Sequence, residues 1–322
     1  MLTNPFIAAE KLQSRLRLAM VGPTGSGKTF SALRIAALML GGQETSNYGV
    51  SLPRREGGLA RIAFIDTERG SARKYSDLFT DGLGKGLFDV LDMERNQAGA
   101  VDPAELTEAI KQAGKHGYEF LIIDSLSHAW EGVLDAKDKR DRRGGNSFAN
   151  WREVTPIHNR LVDAILDYPG HTIGCMRVKM DYVIEEDPAN PKRTRVRKVG
   201  LKSIQREGVE YEFDVVVEMN ETFAIIGKTR CHSLTKLDQV EKPGQEIARL
   251  LNDWLGSGGS LPLTRTEFVE EMGKLGYQEE DQIGQRLQEL DLLNTVTGPN
   301  RYEVMLEKVK EAVSPFELPE AG

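Results

Sequence analysis

The run Gly22-Pro23-Thr24-Gly25-Ser26-Gly27-Lys28-Thr29 satisfies the pattern GxxxxGK[ST] in full, and no other feature constrains the fold of this chain as strongly. Such a loop functions only between a strand and a helix. Its glycines let backbone N–H groups close around phosphate oxygens, and the helix behind it adds the partial positive charge of its N-terminus. The flanking residues supply that setting, since 16–21 reads as an apolar strand and 28–40 as a helix. Lys28 is expected to reach the β- and γ-phosphates of a nucleotide, and Thr29 to hold Mg²⁺. The alternative, a glycine-rich turn without a ligand, does not account for the strand and helix on either side.

Strand candidates alternate with helix candidates over the first two thirds. Residues 60–65, 120–123 and 172–176 are short and apolar, as strands buried on both faces are. Helical patterns at 103–115 and 152–168 lie between them, while 41–59 and 137–150 read as polar loops. This alternation predicts an α/β fold with a mostly parallel sheet flanked by helices. Near residue 211 the pattern turns to strands, 212–219 and 223–227, which suggests antiparallel additions to the sheet. Gly256 to Ser260 has the composition of a flexible linker. Beyond it, Thr264 and Glu267 fit a capping box, and Phe268, Met272 and Leu275 follow at helical spacing. The expected division is therefore a core over 1–255, a linker over 256–260 and a small, acidic, mostly helical domain with its tail over 261–322.

The net charge of −7 belongs to that last segment: residues 257–322 hold 6 Lys/Arg and 13 Asp/Glu, and the rest of the chain is neutral. Contact with a polyanion would thus need a local basic patch. The two cysteines cannot make a disulfide framework, and there is no CxxC pair for zinc. The N-terminal residues do not read as a signal peptide, and no apolar run is long enough to span a membrane. The expected location is the cytoplasm, with no membrane partner. The histidines, His116, His128, His158, His171 and His232, have no metal-ligand spacing, and a hydrogen-bonded structural role is expected for His128 near Asp124.

Two acids follow strands. Asp124 ends Phe120-Leu121-Ile122-Ile123, where a carboxylate beside the P-loop could hold magnesium through water or simply cap the next helix. Glu68, in Ile65-Asp66-Thr67-Glu68, could activate an attacking water or be a solvated loop acid.

Taken in order, the P-loop, the strand ending in Asp66-Thr67-Glu68 and Phe120–Ser125 resemble the RecA-like ATPases. His171–Met176 with Arg177 and Lys179, then 199–202 and Tyr211-Glu212-Phe213-Asp214, extend the likeness to phage-encoded RecA-fold ATP-binding proteins, over about 14–235. Some of these are single-strand annealing or recombination ATPases. The resemblance implies a RecA-like core with ATP and Mg²⁺ as cofactors, Glu68 as the catalytic glutamate and Asp124 on the magnesium side. Met176-Arg177 stands where RecA has an Asn-Gln pair that senses the γ-phosphate, so Arg177 would sense phosphate instead. Lys228-Thr229-Arg230 resembles the Lys-x-Arg element that related ring ATPases insert into a neighbour's site, a task suited to a permanently charged guanidinium. Its alternative is a strand end with solvated charges.

The segment 192–206 carries Lys192, Arg193, Arg195, Arg197, Lys198, Lys202 and Arg206 and no acid. It occupies the place of a DNA-binding loop in RecA-like proteins. Asp187-Pro188-Ala189-Asn190-Pro191 suggests a turn, which would make 181–198 a hairpin with three alternating arginines on one face. Such a row suits a phosphate backbone, and pairing with Glu185, Glu186 and Asp187 across the hairpin is the alternative. Lys137, Lys139, Arg140, Arg142 and Arg143 form a second basic stretch, with Phe148 and Trp151 after it either to stack bases or to anchor the next helix. The function expected is an Mg-ATP-dependent, single-stranded-DNA-binding recombination or annealing ATPase that self-associates into a ring or filament. Its acidic domain would have a protein partner. The alternatives are a helicase or helicase-loader motor, and a regulatory P-loop switch that binds a protein and no DNA.

Overall fold

The computed structural model describes residues 11–312 apart from 56–57, 59, 145, 188–189, 221–222, 238, 258–264 and 297–300, and describes the rest of 180–200, with 265–266, 294, 301 and 303, by their backbone. The chain divides into two compact units, Arg15–Gly256 and Ser257–Gly322 with Met1–Ser14.

The first unit is built on a nine-stranded sheet. Its strands are β1 (Arg17–Gly22), β2 (Ile62–Asp66), β3 (Phe88–Asp92), β4 (Phe120–Asp124), β5 (His171–Asp187), β6 (Asn190–Ser203), β7 (Val215–Asn220), β8 (Phe223–Thr229) and β9 (Val240–Glu241). They run in the order β9-β8-β7-β1-β5-β4-β2-β3, with β6 paired to β5 beyond the main path. β1, β2, β3, β4, β5 and β7 are mutually parallel, and β8, β9 and β6 add antiparallel pairs. The expected α/β fold with a mostly parallel sheet is therefore present.

Alternation along the strands sorts the core into two layers. Leu18 and Met20 of β1 join Phe64 and Ile122 beneath helices α1 (Lys28–Met39) and α5 (Gln245–Gly256). Ala19 and Val21 join Ile65, Leu121 and Ile123 on the other face, with Leu106 and Ile110 of α2 (Pro103–Lys115) and Leu161 and Ile165 of α4 (Ser147–Leu166). Each fully buried Leu or Ile contributes about 1.5–3 kcal/mol, so both faces hold the sheet. Asp102 starts α2 by accepting from the Ala104 N–H at 2.8 Å, with Pro103 at the first helical position.

The stretch 137–150 is not the loop that its polarity suggested. Helix α3 runs Leu126–Arg142 and α4 begins at Ser147. Its charges pair one turn apart, Lys137 with Asp141 at 2.5 Å and Lys139 with Asp135 at 2.7 Å, and Arg140 reaches Glu153 of α4 at 2.9 Å. Within 41–59, the pairs Gln43–Glu44 and Val50–Ser51 join Phe79–Thr80 in a small separate sheet.

In the second unit, α6 (Arg265–Lys274), α7 (Glu280–Glu289), α8 (Leu292–Thr295) and α9 (Arg301–Ala312) enclose Phe268, Met272, Ile283, Leu287, Leu306 and Val309. A capping box at Glu279 and Gln282 opens α7. Gly256 closes α5, while Thr264 and 258–260 of the linker lie outside the described residues.

Candidate functional site: a phosphate loop with two acids

β1, an interior strand, delivers the loop to the C-terminal end of the parallel strands. A Cβ on Gly22 would lie 2.5 Å from the Met219 carbonyl oxygen and 2.7 Å from Ser26 Oγ, so only glycine lets the loop leave this close to β7. Gly25 and Gly27 take φ of 85° and 84°, which favours glycine. Gly27 caps α1 without any side-chain hydrogen bond, and no acid stands in the first turn. The leading N–H groups of the helix are thus left for an external acceptor. Pro23 accepts from Ser26 Oγ at 2.8 Å, and Thr24 completes the loop. The Lys28 ammonium is buried and donates to the Gly22 and Pro23 carbonyls at 2.9 and 2.7 Å, which draws it over the loop.

Asp124 comes from β4, which is separated from β1 by β5. Nonetheless Thr29 Oγ1 donates to Asp124 Oδ2 at 2.5 Å. Burial pushes the Asp124 carboxyl up to about 6; the Thr29 bond opposes this, and the Glu68 charge adds to it. Among the described residues no group of three or more His, Cys, Asp or Glu could hold a metal. One hydroxyl beside one carboxylate is the sparse oxygen set that suits Mg²⁺, which keeps waters and phosphate oxygens as its other ligands. An uncapped helix end and this oxygen pair together fit a magnesium nucleotide.

Glu68 stands just beyond β2. Asp66, in register with Asp124, fixes the turn by accepting from the Glu68 N–H at 2.5 Å and the Ala72 N–H at 3.0 Å. Thr67 is fully buried, and its N–H donates to the Asp124 carbonyl at 2.7 Å. The Glu68 carboxylate itself has no hydrogen-bond or ion-pair partner among the described residues, and is left to act on solvent. Lys28, Thr29, Asp124 and Glu68 are therefore brought to one end of the parallel strands.

Of the surrounding side chains Arg95 escaped the sequence reading, whereas His128 and Arg177 were expected near the site. Arg95 follows β3, a strand whose alternating Phe-Asp-Val-Leu-Asp could have revealed it, and its Nε donates to the Thr67 carbonyl at 2.5 Å. Thr67 and His128 lie 2.7 Å apart, side chain to side chain. His128 is buried, which lowers its pKa to about 4 together with the charges of Arg95 and Arg177. Arg177 stands opposite Gly22 in register, and its Nη1 lies 3.1 Å from His128 Nε2.

Lys228 and Arg230 lie at the other end of the sheet. Arg230 Nη1 pairs with Asp214 Oδ1 at 2.9 Å, and the Asp214 N–H donates to the carbonyl of Arg17, the first residue of β1. Gly22 is five residues further, about 16 Å along a strand. Lys228 Nζ donates to the Tyr211 and Phe213 carbonyls, both at 2.6 Å.

β5 and β6 form a hairpin, with Val178 opposite Ser203 at its root and Glu185 opposite Arg195 farther out. Lys192, Arg193, Arg195, Arg197 and Lys198 are positions of β6, and no register shift interrupts the pairing over 194–198. Lys202 pairs with Glu207 at 3.6 Å, and Arg206 Nη1 lies 3.4 Å from Asn159 Oδ1. The second basic stretch is largely ion-paired within α3 and to α4. Trp151 stacks on Trp130 at 6.1 Å with Lys137 over its ring, so it joins the two helices, whereas Phe148 is exposed.

No helix among the described residues is long and apolar enough to cross a membrane. No curated protein matches the chain. A family model described as an AAA domain matches residues 14–249, a span that takes in the phosphate loop, both acids and the hairpin. On that match and on the geometry that accompanies it, the chain belongs to the AAA domain family of P-loop ATPases.

Proposed function

We propose that the chain is an Mg-ATP-hydrolysing, single-stranded-DNA-binding recombination or annealing ATPase that works as an oligomer. Bound Mg²⁺ would neutralise charge that develops on the phosphates. Lys28 and the N–H groups at the start of α1 bind and orient the β- and γ-phosphates, Thr29 and Asp124 hold the ion, and Glu68 accepts a proton from the attacking water. The observation that carries the DNA reading is the hairpin. It prolongs β5 directly past the phosphate loop, and Lys192, Arg193, Arg195, Arg197 and Lys198 all fall on its second strand. A basic ribbon continuous with the nucleotide site suits a polyanion whose binding is felt by ATP.

The oligomer reading is supported by Arg230. Its side chain is 60% exposed and sits at the end of the sheet remote from its own phosphate loop, a place suited to serving another protomer's nucleotide rather than its own. Gel shift of a single-stranded oligonucleotide, with and without Mg-ATP, tests the proposal. Retardation that depends on nucleotide is expected. No retardation at low salt in either state would contradict DNA binding and favour a regulatory switch acting on a protein. Strand separation of a duplex on addition of ATP would favour a helicase.

A further inference from the structure

Arg177 occupies a junction in the fold. It is the last position at which β5 pairs with β1, opposite Gly22, and the next residue, Val178, opens the hairpin opposite Ser203. Its backbone is held on both sides: its N–H donates to Ser127 Oγ at 2.9 Å, and its carbonyl accepts from the Ile204 N–H at 2.7 Å. Its side chain points to His128, 49 residues away in the chain.

The hydrogen bonds around His128 admit one tautomer. A guanidinium only donates, so His128 Nε2 must accept from Arg177 at 3.1 Å. The imidazole proton is then on Nδ1, which has Thr67 Oγ1 as its nearer acceptor at 2.7 Å and Ser125 Oγ as its farther one at 3.3 Å. Thr67 Oγ1 also accepts from the Ser125 N–H at 2.6 Å and donates its own proton to the Ser125 carbonyl at 3.1 Å. Every proton in the chain of bonds has an acceptor. A charged imidazole would turn Nε2 into a donor facing a donor, and burial beside Arg95 and Arg177 works against that charge. The chain ends one residue before Glu68, on Thr67, whose N–H and carbonyl are bonded to Asp124 and Arg95.

We propose that His128 is a positioning residue that fastens Arg177, at the root of the hairpin, to Thr67, and so makes the placing of Glu68 depend on where Arg177 stands. The inference rests on the reading of Glu68 as the base. It gives a buried histidine outside the phosphate loop a part in turnover. A ligand that pulls on the hairpin, or a phosphate that draws Arg177 away, acts on Glu68 through this link.

Three substitutions separate the two halves of the link. His128→Phe keeps the volume and removes both bonds. His128→Asn retains a donor near the Nδ1 position and loses the acceptor for Arg177. His128→Gln carries an acceptor out to the Nε2 position and loses the donor to Thr67. ATP affinity from a fluorescent-nucleotide titration and steady-state kcat and KM are measured for each, with Arg177→Met, the His128→Phe/Arg177→Met double variant and Glu68→Gln in parallel. The expected result is a kcat reduced roughly tenfold or more in all three His128 variants, with KM and ATP affinity within about twofold of wild type. The double variant should fall no lower than the worse single one, because both remove the same link. Should His128→Phe not fold, the Asn and Gln variants carry the same comparison. Wild-type kcat in His128→Asn and His128→Gln, or purely multiplicative losses in the double variant, overturns the link while a Glu68→Gln loss leaves the base assignment standing. Retained turnover in Glu68→Gln overturns both.

Discussion

Thr29 Oγ1 donates to Asp124 Oδ2 across 2.5 Å, joining residues 95 positions apart, one in the first turn of α1 and the other at the end of β4. The bond sets the hydroxyl and the carboxylate side by side as a pair of oxygen ligands, at the cost of burying a carboxylate. Burial raises the folded pKa of Asp124 to about 6 from 3.8, so the charged form at pH 7 lowers the stability of the nucleotide-free protein. Asp124→Asn should therefore raise the melting temperature of the nucleotide-free protein at pH 7, since the amide oxygen still accepts from Thr29. The same variant should need roughly 10–100-fold more Mg²⁺ for half-maximal ATPase activity. Calorimetry and a magnesium titration check the two effects separately.

Two histidines contribute strongly to the response of stability to acid, and His158, whose pKa burial also lowers, adds to them. Burial lowers the pKa of His128 and of His171 to about 4, and each has a ring nitrogen that accepts a hydrogen bond, His171 Nδ1 from the Leu16 N–H at 3.0 Å. Between about pH 6.5 and 4 the unfolded chain binds more protons at these residues than the folded one, so their contribution is present above 6.5 and is lost as pH falls through 4. Asp124 has the opposite sign between 6 and 3.8. Two groups outweigh one, and the urea midpoint is expected to fall as pH is lowered from 7 to 4. The fall should be steeper in Asp124→Asn, where the opposing group is gone.

The phosphate loop was legible because its chemistry is local: glycines, lysine and threonine lie within eight consecutive residues, and an apolar strand precedes them. α2 was legible from the helical pattern over 103–115. α3 was not, because Lys137, Lys139 and Arg140 look like a solvated loop until their partners Asp141, Asp135 and Glu153 are brought alongside. The partners of His128 were beyond sequence reasoning for the same reason. Thr67 stands just past β2 and Arg177 on β5, and only the sheet order β1-β5-β4-β2 brings them to α3.

The basic hairpin has a distinctive salt signature. Each phosphate contact with single-stranded DNA contributes about 0.7 to the slope of log K against log salt. Replacing Arg193, Arg195 and Arg197 with Ala should flatten the slope by about 2 per protomer and weaken binding evenly across sequences. ATP affinity should be unchanged. If these arginines serve instead to pair across the hairpin, as the register of Arg195 with Glu185 would also allow, the slope stays at its wild-type value.

Arg230 is expected to act on a neighbour's nucleotide. Arg230→Ala should bind ATP normally and hydrolyse it slowly. Mixed with Lys28→Ala, it should regain activity, because its intact phosphate loop then meets an intact arginine from the other chain. No recovery at any ratio, with mixed assembly established by crosslinking, would leave Arg230 with only its Asp214 partner.

Glu68, whose carboxylate has no hydrogen-bond or ion-pair partner among the described residues, is proposed as the base for ATP hydrolysis at the Lys28 loop. Single-turnover ATPase measurements on Glu68→Gln, at enzyme concentrations where nucleotide binding is saturated, test it most directly. Wild-type ATP affinity with a rate of hydrolysis lowered roughly 10²-fold or more is expected. A rate within a few-fold of wild type would contradict it.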